Sequence, residues 1–287
     1  MWQFIFLFGI FIFVMSCQTM YDNQKVAPDI DAYLNTFKDS IPIDNPYAVM
    51  GLGYQDVYIR NNERGNALMR YGLSKLEVAP TYEDYHALSV QNTKNGNYNV
   101  ACQYLDTAAT LNPEVYGYYG WIMLYYYRDY KRSLEYLDIY DKLTPGFRDN
   151  PAGEDIDFLR GLALMQMGKY DEAISAFSTN ISNVTAESDE EWVNIYAFFY
   201  KGRCLHHQEN YTAAISFYNK TLQYYYSSAE AYFYKGLAEQ SLGNDGSKSL
   251  NKALTLCLQK NKQSDSYVEL FDEVYPSQIR QSINDLK

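Results

Sequence analysis

FFYKGRCLHHQENYTAAISFYNKTLQYYYSSAEAYFYKG, residues 198–236, is the stretch that decides the fold. Gly202 and Gly236 stand 34 residues apart, with Leu205, Tyr211, Ala214, Tyr218 and Thr221 at helical offsets between them. A recurrence of that length is one helix–turn–helix unit. Such a unit cannot bury its apolar face alone and must stack on copies of itself.

Copies lie on both sides. Upstream, GLALMQMGKYDEAISAF sets Gly161, Leu164, Gly168, Tyr170, Ala173 and Phe177 in the same order. Tyr85 to Pro113 gives an earlier unit with its turn at Asn95-Gly96-Asn97. Tyr119 to Pro145 gives another, and the 32-residue spacing of Pro113 and Pro145 predicts two residues lost at the turn between its helices. Gly53, Ala67, Tyr71 and Pro80 outline a first unit with Gly65 in its turn, and Tyr232, Gly236, Leu250 and Ala253 a sixth. Gly161 with Ala173, and Gly202 with Ala214, are expected to face each other where paired helices approach, so a larger residue would overpack by about 1–3 kcal/mol. Phe177 and Tyr218 are expected to fill the gap to the next helix. Thr185 to Glu191 reads as an acidic insert, with Ser188 and Glu191 at capping-box spacing ahead of Trp192.

These residues resemble the tetratricopeptide repeat family over residues 46–260. The resemblance implies an all-α, right-handed superhelical solenoid of about six helix pairs, closed by polar-faced capping helices in residues 261–287. Those are expected at Tyr267 to Phe271 and at Ser277 to Leu286.

Composition narrows the function. The 31 tyrosines suit half-exposed helix surfaces, where a ring packs and a hydroxyl stays wet. A net charge of −11 argues against nucleic acid, which needs clustered Lys and Arg, and against electrostatic docking on anionic lipid. Setting Cys17 aside, Cys102, Cys204 and Cys257 are widely spaced small hydrophobes rather than a disulfide framework. There is no HExxH, CxxC or glycine-rich phosphate loop, and no cofactor or catalytic group is assigned. Cys204 and His207 share a helix face, but two ligands without a third do not make a zinc site.

The amino terminus supplies an address. MWQFIFLFGIFIFVM, residues 1–15, is short of the roughly 20 residues that span a bilayer and fits the core of a signal peptide. It runs into Val14-Met15-Ser16-Cys17, which resembles the bacterial lipobox. That likeness implies a signal peptide over 1–16 and a lipid on Cys17; the alternative is an uncleaved membrane anchor. Residues 17–45 then read as a tether, with a short amphipathic helix behind Asp29 at Ile30, Tyr33, Leu34 and Phe37. Gln18 after the cysteine resembles outer-membrane sorting signals of some Gram-negative bacteria. A lipobox, a tether and about six repeats together resemble the NlpI-type outer-membrane lipoproteins, most closely at NGNYNVACQYLDTAATLNPEV and YYGWIMLYYYRDYKRSLEYL. That resemblance implies an adaptor gathering envelope proteases or peptidoglycan hydrolases.

In the repeat family, the first helix of each unit points a regular set of side chains at the concave face. Carried onto this chain, the resemblance implies Tyr47, Met50, Tyr54 and Tyr58 from the first unit, and Tyr127 and Arg128 from the third. It implies Phe158 and Met165 from the fourth, and Tyr196, Phe199, Arg203, His206 and His207 from the fifth. An aromatic groove with a few cations suits envelope proteins or extended peptide segments, and its rings also suit a saccharide. The plainer reading is that any tyrosine-rich array puts some tyrosine inside. If the groove is open, Phe199→Ala with Arg203→Ala abolishes capture and leaves the melting temperature alone.

Cys17→Ser tests the address. Each buried CH₂ of a lipid contributes about 0.8 kcal/mol, so two or three acyl chains outweigh the repulsion of an acidic body. The variant is expected to lose lipid labelling and to leave the membrane fraction or remain unprocessed; unchanged fractionation and labelling refute the lipid anchor.

Overall fold

The computed structural model describes residues 29–285 except 60, 61 and 77, and all their side chains but those of Tyr58 and Asn62. The proposed signal peptide and Cys17 lie outside the described residues. Within them are fourteen α-helices and no strand. After α1 (Ile30–Asn35), twelve helices form six consecutive pairs. These are α2/α3 (Pro46–Tyr58, Asn62–Ser74), α4/α5 (Tyr82–Lys94, Tyr98–Leu111) and α6/α7 (Val115–Tyr125, Tyr130–Asp141). The remaining three are α8/α9 (Ile156–Gln166, Tyr170–Glu187), α10/α11 (Ile195–His207, Tyr211–Tyr224) and α12/α13 (Ala229–Ser241, Ser247–Leu258). A last helix, α14 (Pro276–Asn284), packs on α13 through the buried Ile279. The expected all-α array of six pairs is the architecture.

Local chemistry starts the helices where the repeat needs them. Asn45, Asp155, Asn194 and Ser228 each accept a hydrogen bond from first-turn amides of α2, α8, α10 and α12. Thr81 forms a full capping box with Asp84 at α4. Caps of this kind contribute about 1 kcal/mol each by satisfying amides the helix cannot. The capping box expected at Ser188 and Glu191 does not form: α9 runs on to Glu187 with Ser188 as its C-cap, and Glu190–Trp192 is a 3₁₀ turn. Glu190 instead pairs with Lys220 and accepts from Tyr224 Oη at 2.9 Å.

The close approach within a pair has a different partner from the one expected. A Cβ on Gly161 would sit 2.6 Å from the Phe177 ring, and one on Gly202 would sit 2.9 Å from the Tyr218 ring. Gly120 meets Leu137 and Gly236 meets Leu250 in the same way. The glycine is thus a seat for a large side chain of the second helix, while Ala173 and Ala214 are buried beside it. Phe177 also reaches the next pair, 6.2 Å from the Tyr200 ring, so one ring locks two units. In the first pair the backbones themselves meet. Gly65 lies inside α3 rather than in a turn, and its carbonyl oxygen is 2.7 Å from where a Gly53 Cβ would be. The third unit's missing residues come from its short helices: the turn between α6 and α7, residues 126–129, is longer than that between α8 and α9, residues 167–169.

The core is uneven along the array. One continuous cluster runs from Leu124 to Ile279, whereas the first pairs hold three smaller clusters. The expected tether is partly folded onto this end: Leu34 of α1 is buried against Val49, Leu52 and Leu68, with Ile30, Tyr33 and Phe37 beside it.

Two glycines half a turn apart in α2 separate packing from helix propensity. Gly51→Ala meets nothing within 4 Å and is expected to stabilise by up to about 1 kcal/mol. Gly53→Ala meets Met69 and the Gly65 backbone and is expected to cost about 1–3 kcal/mol. Urea melts of the two variants check the opposite signs.

Candidate functional site

Residues 261–275, between α13 and α14, run as irregular chain along the face of α6, α10 and α12 that carries Tyr125, Tyr200, Arg203 and Tyr234. The terminal helix expected at Tyr267 to Phe271 is absent; this segment is a strap lying across the predicted groove residues. Phe271 and Val274 are its buried anchors. The Phe271 ring stacks 5.7 Å from Tyr125, and the Arg128 guanidinium lies over the same ring, 4.3 Å from its centroid. Its carbonyl accepts from Tyr200 Oη at 2.9 Å and Gln263 Nε2 at 2.8 Å.

Next to it, the Asp272 carboxylate receives the Arg203 guanidinium in a two-pronged bond, Nε at 2.9 Å and Nη2 at 3.1 Å. Tyr234 Oη donates to the same carboxylate at 3.2 Å, and Arg203 lies 3.6 Å over the Tyr234 ring. Arg203 is 6% exposed, and the carboxylate raises its pKa against the opposing effect of burial. A buried arginine is tolerable only because its charge is matched and its donors are used. Asp272 takes a left-handed φ of 55°, a strained conformation held by these bonds. Arg128, with φ 54°, donates from Nη2 to the Glu269 carbonyl, and Lys94 lies over the Tyr267 ring. Lys262 pairs with Glu273 within the strap, while the Gln263 amide donates to Glu230 at 2.8 Å.

The expected groove residues divide accordingly. Arg203 and Arg128 hold the strap. Phe199 and Phe158 are buried in the core, Phe199 between Tyr200, Tyr218 and Tyr234. Met165 and Met50 are buried too. The double alanine variant of Phe199 and Arg203 therefore cannot leave the melting temperature unchanged, because it opens a cavity and strands Asp272. His206 meets Tyr218 Oη through Nδ1 at 3.2 Å, and burial first, then Arg203, lowers its pKa to about 4. It is a neutral packing residue at neutral pH. His207 lies flat on Tyr170, rings 4.8 Å apart, with Nε2 3.2 Å from Arg203 Nη2.

Tyr127 and Arg128 fall beyond α6, in the turn before α7. Tyr127 shares a hydrogen bond with Thr93 at 3.0 Å and packs on Tyr98, both of the preceding unit. Placing the third unit's small position at Gly120 instead brings Trp121 and Tyr125 to the groove. That glycine was visible in the sequence. Tyr47 is exposed at the start of α2, Tyr54 is half-buried against the Val57 and Leu88 cluster, and the Tyr58 side chain lies outside the described ones. Tyr47 and Tyr54 are not brought together with the strap-binding residues. Among the described residues no three His, Cys, Asp or Glu side chains are placed to hold a metal ion.

Asp272→Ala leaves Arg203 buried without a counter-charge. It is expected to cost about 3 kcal/mol or more and to raise hydrogen exchange across residues 261–275 selectively. Replacing both partners by apolar residues, Arg203→Met with Asp272→Leu, is expected to recover much of that loss; equal exchange in wild type and Asp272→Ala refutes the anchor.

Comparison with known proteins agrees with this geometry. Residues 158–179 match the family model described as tetratricopeptide repeat. The C-terminal part of a TPR repeat-containing protein from Cytophaga hutchinsonii superposes with a TM-score of 0.56 at 17% identity, over 79% of this chain and 88% of that one. MamA, residues 41 to end, from Desulfovibrio magneticus RS-1 superposes with a TM-score of 0.52 at 16% identity, over 62% of this chain and 96% of that one. At such identities the likeness is one of fold. No curated protein matches the chain in sequence. The repeat's sequence pattern is thus matched at α8/α9, and the array of helix pairs has the fold of these repeat structures.

Proposed function

We propose that this protein is a non-enzymatic interaction scaffold, held at a bacterial envelope membrane by a lipid on Cys17, whose concave face grips extended peptide segments. The observation that carries the reading is the strap. The face closes on an irregular segment by burying one aromatic side chain, Phe271, and pairing one carboxylate, Asp272, with Arg203. Those are the elements of peptide recognition: an anchor in a pocket and a charge that fixes register. Partner segments with the same aromatic–acidic pair would compete with the strap for this face. The lipobox-like Val14 to Cys17 and the resemblance to NlpI-type lipoproteins support the envelope address and the outer membrane. Binding of a saccharide on the tyrosine rings is the second reading.

Photo-crosslinking in cells separates these readings. A photoreactive residue at Tyr196, beside the strap, is expected to capture a defined envelope protein that the same probe at Lys131 on α7 does not. The synthetic peptide YVELFDEVY, residues 267–275, is expected to suppress that adduct in isolated membranes. Equal labelling from both positions, or an adduct the peptide does not affect, overturns the peptide-binding role.

A further inference from the structure

Beside the strap is a cleft of about 460 Å³ that the bound segment does not fill. Its size falls within the range of about 300–1,000 Å³ typical of small-molecule sites. One wall is the end of α6, where Trp121 is inclined 53° to Tyr125 and 49° to Tyr126 at ring distances of 5.3 Å and 5.7 Å. The opposite wall is Phe158 with Tyr196 and Tyr200, again mutually tilted, 51° between Phe158 and Tyr200 and 37° between Tyr196 and Tyr200. The strap closes a third side through Lys262 to Asp265 with Val268 and Leu270. Rings set at such angles line an aromatic box rather than a flat stacking platform.

One charged group lines the box without a counter-ion. Glu154, just before α8, accepts from Trp121 Nε1 at 3.1 Å and hydrogen-bonds with Tyr125, and it has no cationic partner among the described residues. Burial pushes its carboxyl above the usual carboxylate range, and those two hydrogen bonds only partly oppose this. The ammonium that lines the cleft, Lys262, is committed to Glu273, and the other charge at the rim, Asp265, is also negative. Anions find little here, since the first amides of α8 and α10 are spent on Asp155 and Asn194.

We propose that this cleft is a binding site for an organic ammonium ion, held by the faces of Trp121, Tyr126 and Tyr196 and neutralised by Glu154. A ring face attracts a cation through its quadrupole, more strongly where water is excluded, so several faces and one carboxylate suffice for a selective site. The ligand is a quaternary or primary ammonium head, whether free or at the end of a lysine side chain. Because residues 262–270 form one wall, its occupancy is linked to the seating of the strap. The inference stands on the cleft alone and does not depend on the scaffold reading.

Calorimetric titration of the full chain with choline, N-acetyl-lysine amide and the neutral isostere 3,3-dimethylbutan-1-ol tests it. Saturable one-to-one binding of at least one cation is expected, with the alcohol at least tenfold weaker. Glu154→Gln keeps the shape and is expected to weaken cation binding tenfold or more, a loss of about 1.4 kcal/mol. Tyr196→Leu, at the half-exposed rim, gives a second variant should Glu154→Gln alter folding, and is expected to weaken it several-fold. Equal binding of cation and alcohol overturns the proposal. So does unchanged affinity in a folded Glu154→Gln, saturation by N-acetylglucosamine alone, or no saturation by either cation at millimolar concentration. Choline without acetyl-lysine amide identifies a small-molecule site, and the reverse a site for a peptide's lysine; either supports it.

Discussion

The middle of the array depends on large rings seated on glycines. Phe177 on Gly161 and Tyr218 on Gly202 bring the two helices of a pair close enough to exclude water. Because Phe177 also touches Phe158 and Tyr200, the same contact sets the next pair's position. Interiors packed at crystal density transmit such a constraint from one unit to the next. Where the seat is an aliphatic residue, as Leu137 on Gly120, the turn and helix lengths differ as well. The first two units lack the large rings, and their core breaks into separate clusters.

The second organising contact is electrostatic. Arg203 sits on a first helix at a groove-facing position, in a buried setting that a lone guanidinium could not occupy. Asp272, 69 positions further along the chain, supplies the charge. That pairing brings the strap across the concave face, fixes Phe271 beside Tyr125, and leaves the aromatic cleft with Glu154 at its side. This face is thereby covered by the chain's own acidic segment.

The repeat was legible because its cause is local and periodic. Gly161, Tyr170, Ala173 and Phe177 recur at fixed offsets in Gly202, Tyr211, Ala214 and Tyr218. The groove was legible only in part. Arg203, Tyr196 and Phe158 were found because their two units have clear glycines at 202 and 161, while Trp121 and Tyr125 were missed by placing the third unit one helical turn late. The segment read as a helix at Tyr267 to Phe271 is irregular, with Phe271 and Asp272 held by Tyr125 and Arg203 in place of helical hydrogen bonds. Ser188 and Glu191 had the spacing of a cap, but Glu190 found Lys220 across a helix interface instead.

The sequence by itself determined the helix pairs and their period, since each rests on residues within a few turns of one another. Only the tertiary structure decided which groove residues are free. Whether Phe199 is surface or core, and whether Arg203 awaits a partner or already has one, depends on chain returning from residues 261–275. No short-range pattern encodes that return. It is set by a buried charge that requires an opposite charge, wherever in the chain that charge lies.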